Sequence, residues 1–122
     1  MAERAMMDRL IFFALMELDA TALYVIRRHE GLPAIYGDAP APVAAAYAYA
    51  DRQFAVLSDL LGDQVYCLGE RFSEADIHLG SILNWALSLK IDLPANLTRY
   101  HDRLRARAAY QAASEVNASA ML

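Results

Sequence analysis

The sequence is poorest in the residues that would tie it to special chemistry or to anionic partners. It has a single cysteine, Cys67, so no intrachain disulfide and no thiolate metal cage can form. It has 11 Lys and Arg against 15 Asp and Glu, a formal charge of −4. Nucleic acid and anionic membrane surfaces need clustered cations, so neither is expected as a partner. Long apolar runs are missing too: the run Leu10 to Met16 lies between Arg9 and Glu17, far short of the roughly 20 residues a membrane span requires. The N-terminus sets acid beside base (Glu3, Arg4) with no apolar core and small-residue cleavage site, so no signal peptide is expected and the protein reads as cytoplasmic. Glycine (5) and proline (4) are scarce, which leaves room for long helices.

What is present is apolar and helical. Of 122 residues, 57% are hydrophobic and 21% charged, the balance of a folded globular chain. This length fits one domain, residues 1–122, around one core. From Glu3 to about His29 no Gly or Pro interrupts, and Ile11, Ala14, Leu15, Leu18, Ala22 and Val25 recur at helical spacing. Phe12, Phe13, Met16 and Leu23 form a second apolar strip, so more than one face of this helix must meet protein. The Gly- and Pro-rich stretch 31–42 reads as a connector. A second helix is expected from about Val43 to Leu61, with Val43, Tyr47, Ala50, Phe54, Leu57 and Leu61 on one stripe and Gly62 as its stop. After a loop over 63–72, a third runs from Glu74 to about Leu89, apolar nearly all round and so central, with Gly80 allowing a close helix contact. A fourth starts at Pro94 with Leu97, Tyr100 and Leu104 inward, and an Ala-rich fifth covers about 108–118.

The most specific local signal is Phe72-Ser73-Glu74-Ala75-Asp76-Ile77. Ser73 can accept from the Asp76 amide while the Asp76 carboxylate reaches back to the Ser73 amide, a capping box. Phe72 and Ile77 stand where a hydrophobic staple would fix the angle of entry. A carboxylate at an apolar helix start also invites an acid–base role, but the box already occupies Asp76, so its replacement should cost stability rather than chemistry.

The run Tyr66–Ile77 (YCLGERFSEADI), with Leu83-Asn84-Trp85-Ala86, Leu93-Pro94, Tyr100, Arg103-Leu104 and Arg107, resembles the all-helical C-terminal domain of cytosolic glutathione S-transferases. The spacing is similar to bacterial members, and Phe13–Asp19 (FALMELD) resembles their Ala-x-x-Glu-Leu segment. The resemblance covers essentially the whole chain and implies an all-α bundle of five helices. It also implies that the family's thioredoxin-like N-terminal domain, with its catalytic Ser, Tyr or Cys and its glutathione site, lies upstream of Met1. No catalytic, cofactor or metal residue is therefore expected here, and glutathione belongs to the full-length protein. Two departures stand out. Arg107-Ala108 replaces the usual Arg-Pro, and Asp19 stands where some members carry a glutathione-binding histidine, so that role does not transfer.

By the same resemblance Asp19, Ile26 and Trp85 lie on the substrate side, where this half would supply an apolar pocket wall for the electrophile. An indole or isoleucine on an apolar helix is also an ordinary core side chain, and both readings stay open. Arg99, Arg103 and Arg107 share a helix face and read either as an anion grip or as cations paired nearby. Cys67 reads as an incidental thiol, and His29, His78 and His101 lack the spacing of a metal set. Homodimerisation through the first two helices is expected from their surplus of apolar surface, with a thioredoxin-like domain supplied in cis or in trans. The alternative is a stand-alone helical association module without catalysis.

Overall fold

A computed structural model describes residues 1–120, and helix dominates it, with no strand among the described residues. The first helix, α1, is continuous over residues 2–31 but not uniform. It begins as α-helix Ala2–Phe13, widens to a π-helix over Ala14–Leu23, tightens for Tyr24–Ile26 and widens again over Arg27–Gly31. The cause is legible in what it buries: Leu10, Ala14, Leu18, Ala22 and Ile26, every fourth residue. At 3.6 residues per turn such a stripe drifts by about 40° per step and would leave the core within a few turns. The i→i+5 bonding of a π segment restores the alignment. Thr21 follows the same register, its hydroxyl donating to the carbonyl of Met16, five residues back, at 2.6 Å. Of the second strip, Leu23 is buried and Phe13 packs on the core, while Phe12 and Met16 stay exposed at 65% and 57%.

The connector contains a short helix, α2 (Pro33–Tyr36), ended by Gly37 at φ 83°. Counting it, the described residues form six helices; the other five are those expected. The next, α3 (Pro40–Leu61), starts earlier than Val43 because Pro40 fits a first helical turn, and it buries Val43, Ala46, Ala50, Phe54, Leu57 and Leu61. Gly62, at φ 57°, stops it. Asn96 then completes the end, its amide donating to the carbonyls of Ser58 (3.0 Å) and Gly62 (2.8 Å).

The central helix α4 (Glu74–Ser88) packs against α1 and against α5 (Ala95–Arg105). Gly80 marks its close approach to α5: a Cβ there would stand 3.1 Å from Leu104 Cδ1. Leu97, Tyr100, His101 and Leu104 carry α5 into the core. The last helix, α6 (Ala108–Ala120), buries no residue.

Candidate functional site

Two neighbouring regions carry the polar chemistry of the bundle. The first is the start of α4. The capping box between Ser73 and Asp76 is complete. Asp76 does more than cap: it is 1% exposed, and its two oxygens accept from the Ser73 amide (2.7 Å), the Ser73 hydroxyl (3.0 Å), the Cys67 amide (2.8 Å) and the Tyr100 hydroxyl (2.7 Å). One carboxylate thus joins the loop, the α4 start and α5. Because Tyr100 donates to Asp76, the Cys67 thiol, 3.1 Å away, donates to the tyrosine oxygen. Burial pushes both the Cys67 thiol and the Tyr100 hydroxyl well above their ordinary values. Neither is a nucleophile at neutral pH. Sequence reasoning did not find these two partners, although a tyrosine facing inward on α5 signals that a buried hydroxyl needs an acceptor.

The arginine row fastens the loop from the other side. Arg99 pairs with Asp63 at 3.0 Å, Arg103 donates to the carbonyl of Val65 at 2.9 Å, and the Arg107 guanidinium lies 3.3 Å from the centre of the Phe72 ring. Phe72 also meets Tyr66 edge to face at 5.6 Å. Ile77, its expected staple partner, stays 61% exposed, and both residues line the second region.

That region is a groove of about 420 Å³ between α4 and α6. Phe72, Ile77 and Leu104 form its apolar wall, Gly80, Ala109 and Ala113 leave its space open, and Ser81, Asn84, Arg107 and Tyr110 bring polar groups. Asn84 donates to the Tyr110 hydroxyl and accepts from buried His101 Nε2 at 2.6 Å. Burial, with Arg105 nearby, lowers the pKa of His101 below its ordinary 6.5.

Asp19, Ile26 and Trp85 do not line this groove. Asp19 sits half-buried on the π segment, where burial raises its pKa above 3.8. Ile26 has no exposed surface, and Trp85 packs partly buried against the core. The structure brings the π segment of α1 and α4 into contact, but no hydrogen bond joins these three side chains.

Tyr47 donates to Glu30 at 2.8 Å, Tyr49 to Glu17 and Tyr100 to Asp76, so each of these protons is already held by a carboxylate. Burial and Glu30 push Tyr47 up to about 12. Among the described residues no group of three His, Cys, Asp or Glu side chains could hold a metal, and no helix is long and apolar enough to cross a membrane.

A family model described as "Glutathione S-transferase, C-terminal domain" matches residues 13–108, well over half of the chain. No curated protein and no solved structure matches.

Proposed function

Because this chain belongs to the glutathione S-transferase C-terminal domain family, we propose that it is the helical half of a glutathione-conjugating protein, supplying an apolar wall for the electrophile and a subunit interface. The observation that carries this reading is the family match over residues 13–108 in an all-helical bundle whose polar centre, Asp76, is used up in structure. A thioredoxin-like half, in cis or in trans, supplies glutathione and the group that stabilises its thiolate, and the helical half alone is inert. Trp85 and Asp19 form the wall on the α1 and α4 side, with Ile26 backing it from the core.

The interface is the outer face of α1 and α3. Phe12 and Met16 lie one turn apart and are more than half exposed, and Val56 on α3 is 42% exposed. These apolar side chains gain from burial against a second copy. They also favour the second reading, a helical module whose whole role is association.

Two experiments separate these readings. Joining a thioredoxin-like domain from a family member ahead of Met1 should produce conjugation of a generic aromatic electrophile, and Trp85→Ala should lower it. A joined protein that folds and binds glutathione yet conjugates nothing would leave only the association module. Sedimentation of the 122-residue chain should show a dimer; a monomer at high micromolar concentration would remove the interface.

A further inference from the structure

The far end of α1 is fastened in a way that burial does not explain. Residues Arg27–Gly31 are π-wound, yet none of them is buried. The single turn that follows, α2, buries no residue either, and its Ile35 is 70% exposed. Its main packing partner is the end of α1. Two side chains of that end reach across to it. The Arg28 guanidinium lies 4.4 Å from the centre of the Tyr36 ring, with the Tyr24 ring of its own helix at 5.7 Å, and His29 Nδ1 donates to the Gly37 carbonyl at 2.9 Å.

The same closure strands a donor. Arg28 Nε is buried without a hydrogen-bond partner, and among the described residues no carboxylate is within salt-bridge reach of the guanidinium. A tyrosine face is a weak acceptor and does not replace an oxygen. The penalty for one buried, unpaired donor is of the same order as the gain from a cation–π contact or a net hydrogen bond. The closed arrangement is therefore close to balance. Its backbone can swing at both ends, since Gly31 has open space beside it and Gly37 sits at φ 83°. The end of α1 does not rely on α2 for its place, because Glu30 accepts separately from Tyr47 of α3 at 2.8 Å.

We propose that α2 and its flanking glycines form a strap that opens and closes over Arg28. Closed, Tyr36 covers the guanidinium and Nε goes unpaired. Open, the single turn unwinds, because one helical turn without tertiary contacts does not persist, and every donor of Arg28 meets water. Arg28 thus acts in both directions: its charge draws Tyr36 down, and its Nε favours release. The device rests on contacts within this chain alone.

The test is amide hydrogen exchange of the 122-residue protein, followed by nuclear magnetic resonance. The Tyr36 and Gly37 amides donate to Leu32 and Pro33 inside the strap and report its opening, and amides in the middle of α3 report the fold. In the unmodified protein the strap amides should be at least roughly a hundredfold less protected than those of α3. Arg28→Lys keeps a cation for the Tyr36 face and removes Nε, so it should slow strap exchange by roughly threefold to tenfold while α3 is unchanged. Arg28→Met keeps a polarizable chain against the rings and should slow it as well. An arginine that only holds the strap down predicts the opposite sign for both variants. Faster or unchanged strap exchange in either one would overturn the proposal, as would strap amides in the unmodified protein as protected as those of α3.

Discussion

The start of α4 and the length of α6 face each other across one groove, yet they are built on opposite principles. At Asp76 every acceptor site in reach is taken, the carboxylate is 1% exposed, and three stretches of chain meet on it. Along α6 nothing is buried, and the hydroxyl of Tyr110 has a proton to spare. Saturated, buried polar groups specify structure, and their loss leaves unpaired partners behind. Unsaturated polar groups beside open apolar space are available to ligands. The two regions therefore differ in kind: one is saturated and holds the bundle together, the other leaves polar groups unspent at the surface.

Substitutions should sort along that division. Asp76→Ala should have the largest effect, about 3–7 kcal/mol in urea denaturation: a lost cap is worth about 1 kcal/mol, and the Cys67 amide and Tyr100 hydroxyl, left unpaired, cost about 1–3 kcal/mol each. A loss below about 1 kcal/mol would reduce the hub to an ordinary helix cap. Tyr100→Phe should cost about 2 kcal/mol, since it removes one bond to a charged acceptor and leaves Asp76 three others. Val116→Ser on α6, at 66% exposure, should stay within about 0.5 kcal/mol. A larger loss there would show that α6 is part of the fold's foundation.

His101 lies between the regions and adds a pH dependence. Its folded pKa is lowered, so its contribution to stability is complete above the unfolded value of 6.5 and is lost as pH falls through the folded one. Urea midpoints measured from pH 7.5 downward should show an acid-side loss that His101→Gln reduces. An identical pH profile for the variant would mean that His101 does not titrate differently on folding.

Much of the saturated region was legible in the sequence, and much of the open one was not. The capping box could be read because it is local: Ser73 and Asp76 are three residues apart, and helix geometry alone joins them. The contacts of Asp76 with Cys67 and Tyr100 depend on how the 63–72 loop folds over α5, which no periodicity encodes. The arginine row was visible as a face, but only the folded loop shows that Arg99, Arg103 and Arg107 fasten it at Asp63, Val65 and Phe72. The π winding of α1 left a trace, a spacing of four from Leu10 to Ile26, that a 3.6-residue template does not capture. The short helix Pro33–Tyr36 hid within a Gly- and Pro-rich stretch that reads as a simple connector. The groove could not be foreseen, because it exists where small residues of two distant helices fail to fill the space between them.

The most direct test of the central claim, that this half supplies scaffold and surface but no cofactor chemistry, is a calorimetric titration of glutathione into the purified 122-residue chain. No saturable heat at millimolar glutathione is the predicted result. Saturable binding would contradict the account, because it would place a cofactor site within the helical half itself.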